Sequence, residues 1–127
     1  MRTEIQLLLI GLGGAIGALS RFGIAEFAKQ TFSQAFPVGT LLANLLGCFL
    51  IGVLIGSGYG EKNDPLRLGF GIGFLGSLTT FSTFSAETIS QFNDGNWAIA
   101  FSNVMVNVVL GLTFVFLGMV AGKKLAS

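Results

Sequence analysis

The sequence predicts an all-α membrane protein of four transmembrane helices, and it leaves the third open to a break near residues 76–80 and the whole to assembly as a dimeric bundle. Three observations predict it. Of 127 residues, 52% are apolar and 10% charged, and the mean hydropathy is +0.79, whereas a soluble domain carries about 25% charged residues. The charges fall between four apolar stretches, each able to supply the roughly 20 helical residues that cross a hydrocarbon core of ~30 Å. One of those stretches packs six hydroxyl residues into the nine positions Ser77–Ser85, too many for an unbroken lipid-facing helix. The net charge of +1 leaves no cationic field to hold nucleic acid. The chain has no histidine and a single cysteine, Cys48, which excludes His general-base chemistry, His-ligated zinc and an intrachain disulfide.

The spans follow in order. Between Glu4 and Glu26 the only charge is Arg21, giving a first helix over about 5–27. Met1-Arg2 before an apolar run, with glycine and alanine at 13–18, has some of the look of a signal peptide. Three more hydrophobic segments follow, so an uncleaved first span is the better reading. Pro37 can open the second helix, 37–58, at its first turn, and Gly58-Tyr59-Gly60 ends it. Asp64-Pro65 is a cap followed by a first-turn proline for the third, 66–92. Asn93-Asp94-Gly95-Asn96 reads as a turn, and Trp97 as the interfacial anchor of the fourth, 97–122, which stops before Lys123-Lys124. Tyr59 would anchor the second helix likewise. The whole of 1–127 is then one transmembrane domain of antiparallel neighbours. Its termini share a side with Arg2, Lys62, Arg67, Lys123 and Lys124, against Lys29 and Arg21 opposite; the positive-inside rule makes that side cytoplasmic.

Gly13/Gly17, Gly52/Gly56, Gly69/Gly73 and Gly118/Gly122 are GxxxG pairs, which read mainly as helix packing. Four helices are few to enclose a path, so conduction or transport would need a homodimer or larger assembly.

Polar residues at membrane depth each require a reason. Arg21 either snorkels to the headgroups or serves as a vestibular cation that attracts an anion. Asn44, with Thr40 one turn earlier on the same face, is either an interhelical hydrogen bond or a pore-lining amide donor. Asn103 and Asn107 form a similar stripe on the fourth helix, continued by Gly111, and read first as helix–helix contacts. Around Gly76-Ser77-Leu78-Thr79-Thr80-Phe81-Ser82-Thr83-Phe84-Ser85 the bare sequence leaves two readings. One is a helix whose hydroxyls bond back to the preceding turn; the other is an unwound turn whose freed carbonyls suit a small hard cation. Phe81 and Phe84 share a helix face, for packing or for offering positive ring edges to a dehydrated anion.

Over essentially its whole length the chain resembles the CrcB/Fluc family of bacterial fluoride channels. The likeness is carried by Gly13-Gly14-Ala15-Ile16-Gly17-Ala18 leading to Arg21, by Gly39-Thr40-Leu41-Leu42-Ala43-Asn44-Leu45-Leu46-Gly47, by Gly73 to Ser85, and by the polar fourth helix around Asn107. The resemblance implies a passive, fluoride-selective channel of the bacterial inner membrane that relieves fluoride toxicity, built as an antiparallel homodimer with dual topology and two pores. It implies fluoride contacts at Phe81, Phe84, Asn44, Ser82 and Thr83, polar support from Arg21, Thr40 and Asn107, and a structural Na⁺ held by the backbone carbonyls of Gly76 and Thr79. Glu87 matches a vestibular acid of lesser weight. The uneven Lys/Arg count stands against evenly dual insertion. The alternative is a small multidrug-type, proton-coupled exporter, which needs a midplane acid that the first helix lacks. A non-conducting assembly subunit would leave the hydroxyl cluster unexplained, and an enzyme would lack a nucleophile–base pair.

Overall fold

The computed structural model describes residues 1–59 and 64–127. Gly60 and Lys62, used above for the end of the second span and for the charge count, lie outside the described residues. Among those described the chain is all helical: α1 (Thr3–Thr31), α2 (Val38–Gly56), α3 (π-helical Arg67–Leu75 continued by one α-turn, Gly76–Leu78), α4 (Phe81–Asn93) and α5 (Trp97–Ala126). Helices α1, α2 and α5 are each long and apolar enough to cross a membrane unaided. The remaining crossing is shared by α3 and α4, end to end. The fold is therefore four crossings with the third one interrupted.

Local chemistry explains the starts and stops. Asp64 Oδ1 accepts from the Leu66 N–H at 2.7 Å and its carbonyl from the Leu68 N–H at 3.0 Å, so it caps α3 as its place before Pro65 predicts. Pro37 sits one residue outside α2, where its carbonyl takes the Leu41 N–H at 3.3 Å; the expected first-turn proline is the cap instead, a one-residue difference. The turn after α4 closes with Asn96 N–H donating to Gln91 O at 2.8 Å and with Gly95 at φ +78°, a left-handed conformation in which a side chain is strained. Trp97 then packs edge-on against Phe92, ring centroids 5.5 Å apart.

The glycine pairs form two seams. A Cβ on Gly13 or Gly17 would collide with the carbonyls of Gly69 and Phe74, so α1 lies backbone to backbone on α3. A Cβ on Gly52 or Gly56 would strike the Val115 and Met119 carbonyls, and one on Gly118 or Gly122 the Phe49 and Val53 carbonyls, locking α2 to α5. Without a hydrophobic drive in lipid, such close approach supplies the dispersion contacts that hold helices together.

The sequence did not announce that most of α3 is a π-helix. Gly69, Gly71 and Gly73 alternate through it, and each glycine lowers α propensity by about 1 kcal/mol relative to alanine. The ordinary i→i+4 register is weakly held there, and the seam with α1 decides the coil.

Candidate functional site

The break lies at Thr79 and Thr80, both extended (φ −81°, ψ 155° and φ −150°, ψ 119°). Of the two readings left open by the sequence, the unwound turn is the one the chain adopts. Thr80 is the N-cap of α4: its Oγ1 accepts from the Thr83 N–H at 3.1 Å and its hydroxyl donates to Thr83 Oγ1 at 3.0 Å. Asn44 on α2 secures the unwound backbone from both sides. Its Oδ1 accepts from the Thr80 N–H at 2.8 Å, and its Nδ2 donates to the Thr80 carbonyl at 3.3 Å.

From Asn44 a chain of hydrogen bonds crosses the bundle. Asn44 Nδ2 donates to Asn107 Oδ1 at 3.1 Å, and Asn107 Nδ2 to both the carbonyl and Oδ1 of Asn103 at 2.9 Å. Asn103 Nδ2 donates to Thr88 Oγ1 at 2.9 Å, and the Thr88 hydroxyl to the Phe84 carbonyl at 2.8 Å. Thr80, Thr88 and Asn103 of this chain are buried, and Asn103 is 0% exposed. The side chains of this network satisfy one another, which is the condition for tolerating them at this depth.

Beside the break runs a groove of about 470 Å³, lined among others by Asn44, Thr79, Thr80, Phe81, Phe84 and Asn107. The rings of Phe81 and Phe84 stand 5.7 Å apart, tilted at 52°. Phe84 is partly covered, whereas Phe81 is 80% exposed on the open side. As at any helix start, the N–H groups of Phe81 and Ser82 have no intrahelical acceptor, and none of the described residues accepts from them. The wall therefore combines aromatic rings and amide side chains without a full charge, next to a helix start whose first N–H groups are free. At the end of α3 the carbonyls of Gly76 and Thr79 likewise accept no hydrogen bond among the described residues, and Gly76 faces open space. These are hard oxygen donors; groups of three or more His, Cys, Asp or Glu side chains fit for a metal are absent among the described residues.

The remaining predicted residues are spread more widely. Ser82 is exposed, with its Oγ 3.4 Å from Thr80 Oγ1, and Thr83 belongs to the capping cluster. Thr40 donates to Glu87 Oε1 at 2.8 Å, on a second cavity of about 270 Å³ near the α1–α2 connection that Lys29 and Gln91 also line. The other carboxylate oxygen of Glu87 is buried without a partner among the described residues. Half-buried Arg21 makes no hydrogen bond or ion pair with a described residue and lines neither cavity.

Two participants are not singled out as site residues by the sequence, Thr80 and Thr88, and a third, Asn103, is read there first as a helix–helix contact. Thr80 carried a usable signal, a threonine just before the helix restarts. Thr88 follows Phe84 by one turn, as Asn107 follows Asn103, yet only the packing of α4 on α5 makes those two stripes meet.

In comparisons with known proteins, residues 8–119 match the family described as CrcB-like protein, Camphor Resistance (CrcB). Similar proteins include the fluoride-specific ion channel FluC of Dehalococcoides mccartyi (strain CBDB1), 44% identical over 122 residues that cover 94% of each chain. The fluoride-specific ion channel FluC of Shewanella baltica (strain OS185) is 50% identical over 114 residues, 89% of this chain and 92% of that one. The protein of the same name from Shewanella sp. (strain ANA-3) is 49% identical over the same length.

Proposed function

The chain belongs to the CrcB-like family, and from that premise we propose that it is a fluoride-selective ion channel, not an enzyme, of the bacterial inner membrane. Cytoplasmic fluoride leaves through it by passive diffusion. The observation that carries the reading within this chain is the interrupted third crossing, which brings Phe81 and Phe84 to one groove with Asn44 and Asn107 and leaves the N–H groups at the start of α4 without an acceptor among the described residues.

The chemistry suits a small, strongly hydrated anion. Stripping a charge of water costs tens of kcal/mol in a low-dielectric medium, so the path must return hydrogen bonds and favourable dipoles at every step. The start of α4 supplies backbone N–H groups and the positive end of a helix. The ring edges of Phe81 and Phe84 carry positive quadrupole density. Asn44 contributes its amide edge and the hydroxyls of Ser82 and Thr83 further donors, while Arg21, Thr40 and Asn107 support the path without filling it. Because no fixed cation stands in the groove, the ion is met by many weak partners and can move on.

The working unit on this reading is an antiparallel homodimer with dual topology. A groove open along one side, with an exposed Phe81 and unpaired carbonyls at Gly76 and Thr79, cannot face lipid, where unsatisfied backbone groups cost several kcal/mol each. A second copy covers it. The same carbonyls, contributed by both copies, would hold a structural Na⁺, which supplies positive charge that ties the two breaks together. The charge count, weighted to the side of the termini, favours one orientation over the other, so the antiparallel arrangement rests on family likeness rather than on these charges.

The test is efflux from liposomes holding purified protein, read with a fluoride electrode and compared with chloride. Rapid, fluoride-only efflux without a proton gradient is expected. A folded dimer that releases no fluoride would refute the channel.

A further inference from the structure

We infer that Asn103 is a positioning residue of the ion path: buried away from the ion, it fixes the orientation of the amides of Asn107 and Asn44, which do line the groove. The inference rests on the channel reading above and adds to it a residue and a device. Its basis is the polarity of the hydrogen-bond chain. At one end the Thr80 N–H can only donate; at the other the Phe84 carbonyl can only accept. Between them donation runs one way, from Thr80 N–H to Asn44, to Asn107, to Asn103, to Thr88, to Phe84 O. Turning any one of the three amides over would set donor against donor or acceptor against acceptor, so the two backbone groups dictate every orientation.

The circuit starts and ends on the broken third crossing, one helical turn apart, after passing through α2 and α5. It thereby ties the cap residue Thr80 to the turn that presents Phe84. Asn103 is the link that joins α5 to α4, and it is 0% exposed. Its backbone carbonyl and its Oδ1 take the Nδ2 protons of Asn107, and its own Nδ2 satisfies Thr88. Asn107 is left to turn its Oδ1 to Asn44, and Asn44 its Nδ2 edge to the groove side of the break. The longest bond of the set, Asn44 Nδ2 to Thr80 O at 3.3 Å, is the one an anion with its stronger charge-assisted pull would displace. A reversed amide there would offer an anion a carbonyl dipole of the wrong sign.

A leucine at 103 keeps the branched skeleton but frees one Asn107 proton and the Thr88 oxygen in a buried place, and an unpaired buried group relaxes by dragging its neighbour. Fluoride efflux should fall by about tenfold in Asn103→Leu, and discrimination against chloride should narrow. The exchange Asn103→Thr with Thr88→Asn restores the same polarity in swapped order. The hydroxyl introduced on α5 would accept from Asn107 and donate to the amide introduced on α4, whose nitrogen reaches Phe84 O. The liposome assay is run on wild type, Asn103→Leu and the exchange pair, with dimer assembly followed by size-exclusion chromatography. Recovery in the exchange pair is expected, in flux and selectivity or, if Asn103→Leu fails to assemble, in the yield of folded dimer. Wild-type flux and selectivity in folded Asn103→Leu, or an exchange pair no better than Asn103→Leu, overturns the inference while leaving the channel standing. A folded wild-type dimer without fluoride efflux is the separate outcome that removes the channel itself.

Discussion

The glycine seams and the α3–α4 break meet the same difficulty, bringing backbones together where there is no water, and they meet it in opposite ways. Along the seams the helix interiors satisfy their own backbone groups, so shape matters most and the side chain is reduced to a hydrogen. At the break the helix gives up its own hydrogen bonds, and the side chains of Asn44 and Thr80 replace them in part, Asn44 being held in turn by Asn107 and Asn103. What they leave unreplaced, the N–H groups of Phe81 and Ser82 on one side and the carbonyls of Gly76 and Thr79 on the other, is where an ion can be met. The seams are rigid so that the break can be incomplete.

The largest effect should come from the seams. Gly118→Val places a Cβ where the Phe49 carbonyl stands, with the backbone of Gly52 just beyond. Neither is the end of a flexible side chain, so α2 and α5 must part. We expect little folded protein on size-exclusion chromatography in detergent, whatever ion is present. A monodisperse Gly118→Val with normal efflux would dissolve the distinction between a rigid frame and a yielding site.

Next come the rings, which should break function while sparing the frame. Phe81→Ile or Phe84→Ile keeps an apolar side chain but removes the quadrupole; efflux of fluoride should nearly vanish while the dimer still assembles. Unchanged flux in both variants would return the rings to plain packing. A smaller effect follows from the cation: replacing Na⁺ with a large organic cation throughout purification should lower both dimer stability on dilution and fluoride flux. Insensitivity of both readouts would dismiss the Na⁺ site.

Thr80→Val lies below these. It removes the cap hydroxyl that serves the Thr83 N–H, a loss of about 1 kcal/mol for a typical N-cap, while the Asn44 bonds to its backbone persist. A modest drop in melting temperature with partial efflux is expected. A Thr80→Val protein as inactive as Phe81→Ile would mean that the hydroxyl itself meets the ion.

This ordering also marks what the sequence could disclose. Hydropathy and charge spacing located the four crossings, and Asp64-Pro65 and the Asn93–Asn96 turn located two of the boundaries, because each is a local property of the chain; hydroxyl density marked the stretch of the break without deciding between an unwound turn and a helix. The GxxxG pairs named the seam residues without naming their partners. The π-register of α3 is not legible in the sequence because alternating glycines do not declare a coil; contact with α1 does. The polar chain was hidden for a related reason. Asn44, Thr80 and Asn107 lie far apart in sequence, and an amide stripe on one helix does not say which stripe it will face. Arg21 stands out by its depth in the first span and by family likeness, Ser82 by family likeness; within one chain the first has no partner among the described residues and the second is exposed.

The smallest effect expected is at Thr79, and it is the sharpest test of whether backbone or side chain serves the site. Its hydroxyl donates to Leu75 O at 3.0 Å, an acceptor that the Thr79 N–H also reaches at 3.1 Å. Its methyl packs against Gly47, whose missing side chain makes the room. Thr79→Val gives up the hydroxyl but leaves Leu75 O its backbone donor. Thr79→Ser gives up the methyl, about 0.8 kcal/mol of burial at most. Neither moves the Thr79 carbonyl, so both should conduct fluoride within about twofold of wild type, since a change well under 1.4 kcal/mol stays below tenfold. If Thr79→Ser conducts normally and Thr79→Val does not, the hydroxyl is a ligand and the carbonyl is a bystander. If both conduct, the unwound backbone is the functional element, and the threonine is there because it can leave a helix while still closing the turn it leaves.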